Sequence, residues 1–267
     1  MNPWNRRLGL PAFLSLAMTT CSLAQESRFQ FESAKVSVGA TYHYEKSNID
    51  GSHRSNVSLH VAAHDRLESL KRREHESTAT LVVAHIDLPR LSVRRFETWS
   101  LRAGSEPTKV VVAEYDPDQS VFHATAGDLK LSAQIQNRPW HSFDFDFASL
   151  NFAWRHLMDP EQSFHFGITD IVRTADGPTL IDKGNVTVDF QQITPRGGHV
   201  CREYLIDGPG LENRGGRIWI RKSDNIIVDY EIALPDEPGL ESAKLLLTGV
   251  ERMTPDQWQA FKSSCTQ

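Results

Sequence analysis

The 267-residue chain is poor in cysteine, has no long apolar run beyond its N-terminal segment, and carries no surplus of positive charge. Three cysteines are too few for a scaffold held together by many disulfides. After the first two dozen residues no stretch approaches the roughly 20 apolar residues of a membrane-spanning helix. With 29 basic and 34 acidic residues the chain lacks the basic face that nucleic-acid recognition requires, so no nucleic-acid partner is expected. No Gly-x-Ser-x-Gly elbow occurs, nor any helical metalloprotease spacing, so the motifs of a serine hydrolase and of a zinc peptidase are missing. There is no Pro/Gly/Ser-rich linker and no low-complexity tract, which favours one domain over two.

What is present begins with an export signal. Arg6 and Arg7 precede a short apolar run over residues 8–17, and Ser22-Leu23-Ala24 offers small residues before a cut at Gln25. Residues 1–24 read as a signal peptide and 25–267 as the mature domain, secreted or periplasmic, with no transmembrane segment. The competing reading is a lipoprotein acylated at Cys21, for which Met18-Thr19-Thr20 is a poor approach. The segment carries two of the 29 basic residues and none of the 34 acidic ones, so the remainder holds 27 against 34, a net charge of −7. Its removal takes Cys21 and leaves Cys201 and Cys265. An even number in a compartment that permits disulfides leads to the expectation that these two pair.

Short period-two segments dominate the rest. Residues 35–46, 56–63, 80–87, 91–102, 109–115, 121–125 and 130–135 read as strands, separated by Asp50-Gly51, Leu88-Pro89, Asp116-Pro117-Asp118 and Gly127-Asp128. The charged stretch 66–76 fits a surface strand or a helical turn and stays unassigned. Turn residues at such regular intervals favour one all-β sheet or barrel over alternating βα units. Residues 201–250 form an antiparallel meander on which the rest is organised. Within it Ile226, Val228, Tyr230, Ile232 and Leu234 alternate with Asp229 and Glu231, and Ser223-Asp224-Asn225 makes a tight turn after residues 217–221.

The middle of the chain changes period. Phe143, Phe145 and Phe147 share one face of an extended run, with Asp144 and Asp146 on the other. Residues 148–158 then switch to helical spacing, with Leu150, Ala153, Trp154 and Leu157 on one stripe. At the C-terminus Thr254-Pro255-Asp256-Gln257 has a capping-box arrangement opening a short helix on which Trp258 and Phe261 share a face. The predicted fold is therefore mainly β: a large curved antiparallel sheet or incomplete β-barrel, with one helix after the middle strands and a short C-terminal helix.

Phe145-Asp146-Phe147-Ala148-Ser149-Leu150 running into Trp154-Arg155, with the hairpin Gly216-Arg217-Ile218-Trp219-Ile220 and Ile226-Ile227-Val228-Asp229-Tyr230, resembles periplasmic β-clamp families of unknown function that are similar to Lol-type lipoprotein carriers. The resemblance implies an incomplete barrel whose concave face takes an acyl chain or other apolar molecule, with the helix after Phe147 lying across that face. It transfers no catalytic residue and implies no cofactor. On this reading Phe143, Phe145, Phe147, Phe152 and Trp154 line the ligand cavity; otherwise they are plain core. The same alternation applies to partners, which are a lipid-like molecule or, with a filled interior, an envelope protein. Eleven histidines raise the question of a metal, but only His43, His60 and His64 fall near one another, and a zinc site needs three or four converging ligands. No metal site and no enzymatic activity are expected.

Overall fold

The computed structural model describes residues 28–73, 76–136, 139–142, 148–175, 177–234 and 240–266. The segment read as a signal peptide, residues 143–147 with three of the five expected cavity aromatics, and Asp144 and Asp146 lie outside the described residues.

Among the described residues fifteen strands form one sheet. In chain order they are β1 (Ala40–Ser47), β2 (Ser55–Ala63), β3 (Arg66–Arg73), β4 (Thr78–Asp87), β5 (Ser92–Arg102), β6 (Thr108–Asp116), β7 (Val121–Ala126), β8 (Leu129–Gln134), β9 (Trp140–Ser142), β10 (Phe164–Thr174), β11 (Gly177–Arg196), β12 (His199–Asp207), β13 (Gly216–Arg221), β14 (Ile227–Ile232) and β15 (Ala243–Arg252). Helix α1 (Ala148–Trp154) follows β9, and α2 (Pro255–Ser264) closes the chain. The order across the sheet is β8-β7-β6-β5-β4-β3-β2-β1-β15-β14-β13-β12-β11-β10-β9. Neighbours are antiparallel except β9 and β10, which are parallel and joined through α1. Two meanders are thus stitched together where β1 meets β15. The sheet curls until β5 comes against β9 and β8 against β11, but β8 and β9 remain its two ends, so the barrel is incomplete.

Alternation explains the core. Tyr42, Tyr44, Val57, Leu59, Val82, Ala84, Phe96, Phe122, Phe164, Phe166, Tyr204 and Tyr230 all turn to the concave side and form one buried cluster with Leu150, Phe152 and Trp154 of α1. The charged stretch left unassigned from the sequence is β3. Its inner residue Leu67 is buried, and the charged neighbours that obscured the pattern lie on the opposite face and toward the strand's end.

In the late meander one expected face assignment fails. Trp219 pairs with Asp229 but Ile220 pairs with Ile227, so Val228 is an extra residue at a bulge. Ile227, Tyr230 and Ile232 face inward, while Val228 turns outward to Cys201 and Trp219. The expected Cys201–Cys265 disulfide is not formed either: both are free thiols, in separate outer clusters. Cys201 is buried beside Val228, its Sγ 3.8 Å from the Arg196 carbonyl, while Cys265 ends α2 over β3 and β4.

Candidate ligand-binding site

The concave face is occupied by the protein itself. Asn151 fastens α1 to the sheet, its Nδ2 donating to the Tyr44 hydroxyl at 2.8 Å and its Oδ1 accepting the Ile227 N–H at 2.8 Å. Tyr44 donates in turn to the Ile227 carbonyl. Phe152 is 4% exposed and Trp154 fully buried, with Trp154 set edge-on to Phe164 and Phe166. The segment at 28–36 runs over α1's exit, where Phe29 bridges Leu157 and packs on Phe164. Between α1 and β1–β3 a crevice of ≈ 10 Å³ is left, about the volume of one water. Of the five expected cavity aromatics, the two described, Phe152 and Trp154, are buried in this cluster.

The histidines also serve packing. His60 is stacked on Trp258 at 4.7 Å, and its Nδ1 is 2.9 Å from Thr41 Oγ1. His43 lies between Ser58 and Glu251, and His64 is exposed in the β2–β3 turn.

A larger opening lies on the outer face. Helix α2 starts with the capping box read from the sequence, Thr254 Oγ1 accepting from the Gln257 N–H and Gln257 Oε1 from the Thr254 N–H. It crosses β2–β4 with Trp258 buried against Leu70, Leu81 and Val83. Its anchor is Glu68, which faces outward on β3 beside His60 on β2. Glu68 Oε2 accepts the Trp258 indole N–H at 2.7 Å and Lys262 Nζ at 3.0 Å, and Oε1 accepts from Arg66 at 2.6 Å. Burial alone would push this carboxyl upward; the indole, Lys262 and Arg66 outweigh it and hold Glu68 below the usual glutamate value.

Beyond α2 the outer face over β4 and β5 is open among the described residues. There a groove of ≈ 670 Å³ runs between α2 and the loop joining β5 to β6. Its floor is apolar because Leu81 and Val83 of β4 alternate outward opposite Trp99 and Glu97 of β5, with Leu101 next along. Its walls are charged: Lys262 and Gln259 from α2, Arg66, Glu97, Arg102 and Glu106. Glu97 is neutralised by Arg95 at 2.7 Å and Lys109 at 3.0 Å, and Lys109 also sits 4.6 Å from the Trp99 ring centre. Arg102 is exposed and carries no ion pair among the described residues. An apolar floor with a charged, largely self-neutralised rim can hold an apolar chain whose polar end stays in water.

The sequence reading missed this groove, although a signal for it was present. Leu81-Val82-Val83-Ala84 is apolar on both faces of β4, the mark of a strand covered on both sides.

No protein-family model matches the chain, and no curated protein matches it in sequence. Among solved structures it is similar to a chain described as an outer membrane lipoprotein-sorting protein domain from Vibrio parahaemolyticus, at 10% identity and a TM-score of 0.32, over 93% of this chain and 97% of that one.

Proposed function

We propose that this protein is a non-enzymatic binding protein of the cell envelope, and that it holds the apolar part of a lipid-like amphiphile in the outer groove beside α2. The observation that carries this reading is the ≈ 670 Å³ groove floored by Leu81, Val83, Trp99 and Leu101, a volume within the usual range for small-molecule sites. The export signal read over residues 1–24 supports the compartment. About eight methylenes laid on this floor would contribute roughly 6 kcal/mol at about 0.8 kcal/mol each, before ordering costs are subtracted. This reading puts the ligand in the outer groove instead of on the concave face expected from the sequence, and the burial of Phe152 and Trp154 beside α1 supports that choice. That filled interior also favours a second reading, in which the groove takes apolar side chains of an envelope protein.

The deciding experiment is native mass spectrometry of the protein purified from its own envelope fraction, with organic extraction, followed by titration with a medium-chain fatty acid while the Trp fluorescence is followed. A co-purifying lipid, or uptake of the fatty acid, that is lost in a folded Trp99→Ala or Leu101→Ser chain supports the amphiphile. A clean apo mass with no uptake moves the reading to the protein partner. Lipid that is retained in both variants would overturn the placement in the groove.

A further inference from the structure

A second cavity, of ≈ 410 Å³, lies at the rim of the concave face where α1 leaves it, away from the groove. Four cations from four separate parts of the chain line it: Lys35 from a 3-10 turn, Arg155 just after α1, Arg202 from β12 and Lys222 from the β13–β14 turn. The other polar lining groups include Ser37, Ser223, Asn225 and one carboxylate, Asp224.

Both guanidinium groups are held in place by hydrogen bonds to neutral acceptors, each with one carboxylate at longer range. Arg155 donates to the Lys35 carbonyl at 3.0 Å and to the Tyr42 hydroxyl, and lies 5.3 Å from the Tyr42 ring centre. Arg202, only 9% exposed, donates through Nη1 to the Lys222 carbonyl at 3.2 Å and to Asn225 Oδ1 at 3.0 Å. Its Nε is buried with no hydrogen-bond partner; Glu161 is 3.6 Å away. Asp224 is taken by Arg221 through two 2.8 Å bonds and stands 4.0 Å from Arg155, and Glu32 pairs with Lys35 at 2.6 Å. With Arg221 there are five cations against three carboxylates (Asp224, Glu32 and Glu161), an excess of two positive charges around one pocket. Lys222 Nζ carries no ion pair among the described residues and is exposed, free to swing onto an incoming anion.

We propose that this cavity is a binding site for a phosphoryl group, a phosphate monoester or diester. Two fixed guanidinium forks present planar donors to the oxygens of a tetrahedral anion, while the two lysines supply mobile point charges. The proposal is independent of the ligand reading for the outer groove, which shares none of these residues.

The test is isothermal titration of the whole protein at low ionic strength with two probes, inorganic phosphate and dihexanoyl phosphatidic acid below its micellar concentration. Binding of either is expected, weakening with added salt. It should weaken by about tenfold in Lys222→Glu and several-fold in Lys222→Gln, since each removes charge from a side chain without a structural partner. Lys130→Gln on the distant β8 is the control, and thermal melts establish that each variant is folded. If both probes bind equally, the site takes free phosphate. If the lipid alone binds, it takes a headgroup. Absence of binding by both probes, or binding that Lys222→Glu leaves unchanged, overturns the proposal. So does an equal loss in Lys130→Gln.

Discussion

The two faces of this one sheet are finished by different chemistry. The concave face is sealed mostly with neutral groups: aromatic rings, the Asn151 clamp, and His156 accepting the Glu32 N–H at 3.1 Å through Nδ1, with Lys46 of β1 buried among them. The outer face is covered in two places, each time by a charge laid over a tryptophan. Lys262 and Glu68 hold Trp258 over β3 and β4. At the other end the tip of the β11–β12 hairpin folds onto β14, and the Arg196 guanidinium lies 4.0 Å from the Trp219 ring centre while bonding Asp229 and Glu231 at 2.7 and 2.6 Å. Gly197 makes that tip close enough: at a φ of +55°, a Cβ there would meet Val228 at 3.1 Å. Inside, space is consumed and stability follows from volume. Outside, space remains, and covers depend on charge and therefore on salt.

Removing volume from the interior should cost the fold most. Trp154→Ala, at a fully buried ring against Phe164 and Phe166, is expected to cost about 3–5 kcal/mol in urea unfolding. A loss below about 1 kcal/mol would show that the interior is not close-packed.

Acid should next find the inner face through His156. Its imidazole is pushed down from 6.5 to about 4, first by burial and then by Lys35, and its Nε2 is buried without a partner. The unfolded chain therefore takes up the proton first as pH falls below about 6.5, and stability declines until about pH 4, where the folded form is protonated as well. The whole window is worth on the order of 3 kcal/mol. In His156→Gln this part of the pH slope should disappear, as measured by urea midpoints between pH 7 and 4.

Glu68 gives the outer counterpart. Its carboxyl is held below the usual value, so its contribution is complete above the unfolded glutamate value, near 4.3, and is lost as pH falls through the lower folded one. Its window thus lies below that of His156. Glu68→Gln is expected to cost about 2 kcal/mol by leaving Lys262 and Arg66 without their carboxylate. The measurement is Trp258 fluorescence in a Trp99→Phe background, which reports undocking of α2. A variant whose α2 docks as firmly as the parent's at pH 7 would mean that packing of Trp258 alone covers this face.

Much of this division is readable from the residue pattern. Strict alternation such as Val57, Leu59 and Val61 located the inner face of most strands, and Thr254-Pro255-Asp256-Gln257 located the start of α2. What could not be read depends on contacts remote in sequence. The Val228 bulge reverses a face without altering local composition. The charged stretch of β3 stays unassigned because the groups that cover its charges, Trp258 and Lys262, lie 190 or more residues away. Two cysteines invite pairing by count alone, and only the fold places Cys201 beside Trp219 and Cys265 beside the α2 cluster. The cation-lined rim needs four chain segments together, which periodicity cannot supply.

The smallest expected change in stability tests the comparison most finely. Trp99 on β5 and Trp154 on α1 are the same residue type on opposite faces of one sheet, but Trp99 is partly exposed on the groove floor with Lys109 over its ring, while Trp154 is enclosed. Trp99→Ala removes a cation–π contact worth about 0.5–1 kcal/mol and opens no enclosed void, so the urea midpoint should move little. If the groove binds an acyl chain, the same substitution should raise the fatty-acid dissociation constant by about tenfold, the cost of one large apolar contact. Stability and binding then separate on the outer face, where on the inner face they cannot. Should Trp99→Ala destabilise the fold as much as Trp154→Ala, the outer floor would be core in the same sense as the interior, and the difference between the two faces would be one of charge alone.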